Sequence, residues 1–232
     1  MARKQSDRPG NQREMPADLP LAVTKISPQK KNPDRYSLFH KKRFLIGVSQ
    51  KTRSNFSIEK GTLLTEPLYK QLSEAEERSA IRQACLRYLA RRDHSSSELL
   101  KKVGKKGYRR ADILEVVRNL RNQGLIDDRG FAERYVADKI ELNRWGPKKI
   151  RAKLYQKGVD REIIESVLDN ALDDKKLQSA CINLVLKRKR HFLREDDLFK
   201  RKEKIYRYLS GRGYSGSVIR SAWPQIEKEL NV

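Results

Sequence analysis

Apolar residues recur along the chain in blocks at three- and four-residue spacing, punctuated by glycines, and the clearest block runs from Gly124 to Val159. Within it Phe131, Ala132, Tyr135, Val136 and Ile140 share one face of a helix. Gly124 followed by Leu125 has the form of a helix C-cap: glycine takes the left-handed conformation and the next apolar residue folds back on the last turn. Asp127 or Asp128 can then cap the new helix. Trp145-Gly146-Pro147 breaks the pattern, and Pro147 suits the first turn of a second helix, where its missing N–H leaves nothing unsatisfied. That second helix buries Ile150 and Leu154 and stops at Gly158.

The same pattern appears three times. A shift of 51 residues, the separation of Gly107 and Gly158, places Ala132 on Ile81, Tyr135 on Ala84, Val136 on Cys85, Ile140 on Leu89, Ile150 on Leu99 and Leu154 on Val103. Ile113 and Val117 then match Ile164 and Leu168 in a third helix. In the other direction Leu177, Ala180, Cys181 and Val185 follow at a shift of 45, and Ile205, Leu209, Gly213, Ile219 and Trp223 at 55, so the last repeat has gained ten residues. Each unit is too small to bury its apolar face alone and needs its neighbour. The fold class expected is mainly α: an elongated tandem array of three three-helix repeats over 71–126, 127–174 and 175–232, with a small N-terminal β-rich extension.

That extension covers 20–70. LAVTKISPQ, RYSLFH, RFLIGVS and TLLTEP are short runs rich in β-branched and aromatic residues, and His40-Lys41-Lys42 lies where a hairpin turn belongs. Alternation would put Tyr36 and Leu38 on one face with Phe44, Ile46 and Val48. A lone hairpin is only marginally stable, so it should pack on the first helical repeat or on a partner. Residues 1–19 mix charge, Pro and Gly without apolar periodicity and are expected to be a disordered basic tail. A helix is expected from Leu72 to Arg92, and Ser95-Ser96-Ser97-Glu98 reads as a capping box for the next. Pro224 should kink or end the last helix, and Asp173 and Asp174 fit the solvated end of one.

Composition narrows the partners. Of 232 residues, 53 are Lys or Arg and 30 Asp or Glu, a net charge of +23, and such an excess concentrates polyanions by steering and counterion release. Cys85 and Cys181 both fall on helix core faces, where a thiol behaves as a small hydrophobe, so neither a disulfide framework nor a metal site is expected. No run approaches the roughly 18 apolar residues of a membrane span, and Met1–Pro20 lacks a signal-peptide core, so a cytoplasmic location is expected. His40, His94 and His191 have no ligand-spaced companions. Gly104-Lys105-Lys106-Gly107 lacks the preceding strand and spacing of a phosphate-cradling loop. With no nucleophile elbow, nucleotide loop or paired carboxylates, catalysis and a cofactor are not expected.

The basic residues repeat as the apolar ones do. Lys101, Lys102, Lys105 and Lys106 accompany the middle helix of the first repeat; Arg144, Lys148, Lys149, Arg151, Lys153 and Lys157 that of the second; and Lys200, Arg201, Lys202, Lys204 and Arg207 that of the third. Lys149 and Lys153 lie about 100° round the helix from Ile150 and Leu154. The insertion LKRKRHFLRED adds Lys187, Arg188, Lys189 and Arg190, with Phe192 a candidate for stacking on a base. A stacked array would align these into a positive stripe that meets phosphates through charge alone; nothing here reads bases.

RRDHSSSELLKKVGKKGY, NLRNQGLIDDRGFAERYV and RWGPKKIRAKLYQKGV together resemble the RecX family of bacterial regulators of the RecA recombinase, over roughly residues 21–228. The first repeat departs where Arg109-Arg110 stands in place of a short capping residue, and the third by its insertion. The resemblance implies a curved array of three-helix modules in the groove of the RecA filament on single-stranded DNA, blocking its extension and lowering ATP hydrolysis, strand exchange and co-protease activity, with effects on DNA repair and the SOS response. The partners expected are the RecA filament and single-stranded DNA, with double-stranded DNA a further candidate, bound by a monomer. The alternative is a sequence-independent DNA-binding protein that competes for DNA.

Overall fold

A computed structural model describes residues 15–30 and 32–230. They form two compact units: one takes the described residues of Met1–Arg92 with Leu99–Leu125, the other Asp93–Glu98 with those of Ile126–Val232. Of the tail expected over 1–19, residues 1–14 lie outside the described residues. The rest is tied to the fold rather than free: the Arg43 guanidinium donates to both Asp18 carboxylate oxygens, at 2.7 and 2.8 Å, and Leu19 packs against the first core.

The first unit begins with strands β1 (Leu21–Ala22), β2 (Lys25–Gln29), β3 (Asn32–His40) and β4 (Arg43–Ser49), a short helix α1 (Gln50–Asn55), and β5 (Leu63–Leu64). β2, β3 and β4 make an antiparallel sheet in that order, and β1 pairs with β5. Tyr36 faces Val48 and Leu38 faces Ile46, as the alternation requires. The register then slips, so that Phe39 faces Phe44, their rings edge-on with centroids 5.8 Å apart. Leu45 is the extra residue of this bulge and is buried together with Ile46. Phe44 therefore leaves the face on which simple alternation placed it.

Helix α2 (Glu66–Leu89) starts six residues before the apolar pattern that announces it, because Thr65 caps it and Pro67 occupies its first turn. Its opening residues Tyr69 and Leu72 complete the core of the sheet, while Ile81, Ala84 and Cys85 are buried further along. One continuous helix thus serves the β extension at one end and the first repeat at the other.

The repeats follow as α3 (Ser96–Gly104) and α4 (Arg110–Asn122); α5 (Asp128–Glu141), α6 (Pro147–Gln156) and α7 (Arg161–Ala171); and α8 (Asp174–Leu186), a four-residue α9 (Lys189–Phe192), α10 (Leu198–Arg212) and α11 (Gly216–Leu230). The matched positions Ile81, Ala132 and Leu177, Leu99, Ile150 and Ile205, and Ile113, Ile164 and Ile219 are all buried. Three local readings change. Asp173 caps the start of α8, accepting from the Lys176 N–H, instead of sitting at a helix end. Arg109 makes no side-chain cap for α4; its guanidinium instead holds Asp112 in the first turn at 2.7 and 3.2 Å. Helix α11 runs through Pro224. Burial of Ala222, Ile226 and Leu230 around it offsets a proline penalty of about 3 kcal/mol.

The joint between the second and third repeats is made of backbone. The Gly146 N–H donates to the Arg212 carbonyl at 2.9 Å and the Lys148 N–H to the Gly213 carbonyl at 3.0 Å. The Arg212 guanidinium donates to the Asn143 carbonyl at 3.0 Å, and the Tyr214 hydroxyl to the Arg144 carbonyl at 3.4 Å. A Cβ at Gly146 would lie 2.5 Å from the carbonyl carbon and oxygen of Gly213. Loop 93–98 meets the end of α6 in the corresponding way. Ser95 Oγ donates to the Lys157 carbonyl at 2.6 Å, and a Cβ at Gly158 would strike Ser97. Gly146→Ala should therefore destabilise the protein by roughly 3 kcal/mol, the upper range for overpacking, because backbone cannot swing aside. Gly104→Ala, at the helical end of α3 with open space around it, should be neutral or stabilising by up to about 1 kcal/mol. Urea unfolding of the two variants checks this, and equal midpoints would contradict it.

Candidate nucleic-acid interface

The cations singled out by the repeat divide by what holds them. In the first compact unit Lys101 and Lys105 are exposed, whereas Lys102 and Lys106 are half-buried with their ammonium groups 4.9 and 5.9 Å from the Tyr88 ring centroid. In the second unit, Lys149 lies 4.6 Å over Trp145, and Lys139 approaches the same indole at 5.7 Å. Lys202 lies 4.9 Å over Trp223, which also stacks on Tyr206 at 5.4 Å. Arg188 and Arg212 both sit over Tyr208, at 5.1 and 5.4 Å. A ring face of this kind steadies a cation while leaving its charge uncompensated.

Others are neutralised by carboxylates. Arg151 makes a two-pronged pair with Glu165 at 2.8 and 2.7 Å, which pulls the Glu165 carboxyl below its usual range. Lys157 holds Glu98 at 2.8 Å, Lys204 reaches Glu195 at 3.2 Å, Arg207 pairs with Glu203, and Lys200 stands 4.0 Å from Asp197. Arg201 spends its Nε–H on the Glu195 carbonyl, and Lys153 donates to Gln156 at 3.0 Å. Arg144 and Lys148 are exposed in and beside the Gly146 loop, with Arg144 at a left-handed φ of 52°.

The loop chemistry explains this geometry. Pro147 and the Gly146 N-cap start α6 where the joint fixes it, so Trp145 is half-buried and Lys149, one turn on, lies over it. Asp127 caps α5 through the N–H groups of Arg129 and Gly130, leaving Asp128 to accept from both the N–H and hydroxyl of Ser96. Ser95 does cap the Glu98 N–H, but the Glu98 carboxylate goes to Lys157. Lys139, on the first helix of its repeat, escapes a reading based on middle helices, and Arg212, the last residue of α10, is missing from it. Lys139 had a signal all the same, since it stands four residues after Tyr135, whose ring it approaches at 5.2 Å.

In the insertion, Phe192 is not free to stack on a base as the sequence suggested, because it is buried in the core of the third repeat, and Lys189 donates to the Glu229 carbonyl. Lys187, Arg188 and Arg190 are exposed around it.

Among the described residues no group of three or more His, Cys, Asp or Glu side chains is arranged to hold a metal ion, and no helix is long and apolar enough to cross a membrane. His94 is buried in the loop between α2 and α3.

Residues 22–65 match the regulatory protein RecX N-terminal domain, and residues 82–120, 127–168 and 176–223 match the first, second and third three-helix domains of RecX. A regulatory protein RecX of Chlorobium phaeobacteroides is 36% identical over 141 residues, 61% of this chain and 89% of that one. The chain belongs to the RecX family. A RecX protein of Listeria welshimeri is 28% identical over 91% of this chain and 78% of its own length. A crystal structure of regulatory protein RecX superposes with a TM-score of 0.75 at 26% identity, covering 88% of this chain and 98% of that one. A second, of RecX from Lactobacillus salivarius, gives 0.62 at 25% identity over 66% and 98%. The four matched segments lie in chain order within the strand region and the three sets of helices, and Lys187–Arg190 fall inside the third three-helix match.

Both cysteines are buried in these cores, and burial pushes their thiols up, to about 11 for Cys85 and about 12 for Cys181. The folded state therefore holds both thiol protons more tightly than the unfolded chain. This contribution to stability is fully present below the unfolded value of about 8.5 and is lost as pH rises from there through the folded values. Ellman's reagent at neutral pH should label neither thiol in the native protein and both in denaturant; rapid labelling of native protein would contradict the burial.

Proposed function

We propose that this RecX-family protein regulates a RecA-type recombinase by binding its filament on single-stranded DNA, limiting extension, ATP hydrolysis, strand exchange and co-protease activity, and thereby modulating DNA repair and the SOS response. The observation that carries the reading is the match of all four parts of the chain to RecX domains, with the strand region and three repeats in the RecX order. The protein acts by binding, as a monomer in the cytoplasm, with no turnover of its own. In this reading the cations without carboxylate partners do the contacting. Lys148 is exposed beside the joint, and Lys149 and Lys202 rest on indole faces, so they meet a polyanion already ordered and pay little rotamer entropy. Arg151, Lys157 and Lys204 are committed to carboxylates on other segments and help to orient α6 and α10, while Arg207 is tied to Glu203 on its own helix.

The second reading, a sequence-independent DNA-binding protein that competes for DNA, is favoured by the basic insertion. The two readings part on one experiment. Purified protein at substoichiometric ratios should lower DNA-dependent ATP hydrolysis by RecA, and no effect even in excess would sink the filament reading. The variant Lys148→Glu with Lys149→Glu should weaken binding to the RecA-coated filament about tenfold or more at moderate salt. If that variant loses naked DNA but keeps the filament, competition for DNA is not the mechanism.

A further inference from the structure

The insertion that distinguishes the third repeat is a built site and not a slack loop. Phe192 is 1% exposed in the repeat's core, its ring 5.7 Å from Tyr208 and 5.4 Å from His191, and Leu193 packs beside it. Lys189 fastens the turn to the end of α11 through the Glu229 carbonyl. Two side chains thus anchor the segment, and the turn bends around a cavity of about 750 Å³ walled by Lys187, Arg188, Lys189, Arg190, His191 and Arg194 together with Leu186 and Leu193. No carboxylate lines it.

The charge here is arranged differently from that on the helices nearby. Glu195, one residue past the wall, is taken by Lys204, and Asp197 caps α10 through the N–H groups of Phe199 and Lys200. Lys187, Arg190 and Arg194 are exposed and have no acidic partner among the described residues. Arg188 is set in place by the face of Tyr208, which leaves its charge unspent. Holding several like charges around one concavity raises the energy of the free protein, and a ligand with closely spaced negative charges relieves it. Guanidinium groups add forked donor geometry that fits phosphate oxygens. Phe192 is buried, and the one exposed ring of the turn, the His191 imidazole, is held at 68° to it, so the turn offers charge rather than a large stacking face.

We infer that the 186–194 turn is a phosphate-binding site that grips adjacent phosphodiesters of a nucleic-acid strand without reading its bases, with Lys187, Arg190 and Arg194 as the contacting residues. The inference deepens the proposed function by assigning direct DNA contact to one segment, and Arg194 joins the basic face through it.

The test is a salt titration of full-length protein binding to fluorescein-labelled oligothymidine. The triple variant Lys187→Glu, Arg190→Glu, Arg194→Glu should lower the slope of log affinity against log salt by about 2, since each lost phosphate contact on a single strand removes about 0.7. A variant with glutamine at the same three positions should do likewise, and both should melt as the wild type does, because the side chains are exposed. A charge-matched control, Lys51→Glu, Lys60→Glu, Arg118→Glu, changes three exposed residues elsewhere and should leave the slope nearly unmoved. Equal losses in site and control variants would mean bulk charge alone and would overturn the proposal, as would an unchanged slope in the site variants. Calorimetry with inorganic tripolyphosphate separates the sources of phosphate. If it binds wild type and not the variant while the DNA slopes are equal, the ligand is a free polyphosphate and the assignment to nucleic acid is wrong. Failure of the wild type to slow RecA with the slope difference intact would overturn the filament reading alone.

Discussion

At Gly146 a peptide plane lies against the turn at Gly213 so closely that a single side-chain carbon would meet carbonyl atoms at 2.5 Å. That approach ties the first turn of α6 in the second repeat to the end of α10 in the third. Backbone hydrogen bonds make the centre of the joint and need a position without a Cβ, while Arg212 and Tyr214 add side-chain bonds to the Asn143 and Arg144 carbonyls. Loop 93–98 reaches the end of α6 by the same geometry with a serine hydroxyl in place of a glycine N–H, so the repeat reproduces a joint as well as a core.

Electrostatics decides which of the many cations matter. At +23 the chain repels itself, and its carboxylates are too few to cover the excess. Exposed pairs such as Arg207 with Glu203 add at most about 1 kcal/mol each, so their consequence lies less in stability than in removing particular cations from contention. Aromatic faces do the converse: Trp145, Trp223 and Tyr208 hold Lys149, Lys202 and Arg188 in place without cancelling them. Within the second unit the cations thus divide into ordered positions without a carboxylate and neutralised ones.

The strand region gains stability from the same continuity. A three-stranded sheet and a two-stranded ribbon share a core that α2 completes with Tyr69 and Leu72, and the helix carries on into the first repeat. The bulge at Leu45 lets two neighbouring residues of β4 point inward, giving a small sheet more apolar area than alternation would.

Periodicity alone was enough to reveal three repeats, their cores and their capping glycines, because helix burial imposes a 3.6-residue rhythm that no neighbour can change. It also placed Pro147 at a helix start and the hairpin turn at Lys41-Lys42. Where the rhythm met a competing interaction, the tertiary structure decided. Phe44 left its face at a bulge, α11 ran through Pro224 because burial on both sides outweighed one lost hydrogen bond, and Asp128 turned from capping to hold Ser96. The basic residues show the division most clearly. Their number and spacing are in the sequence, but whether Lys149 rests on an indole, Arg151 is cancelled by Glu165, or Arg190 stands open at a cavity depends on what the fold brings beside them. Charge is a property of the residue, and its screening is a property of its neighbours.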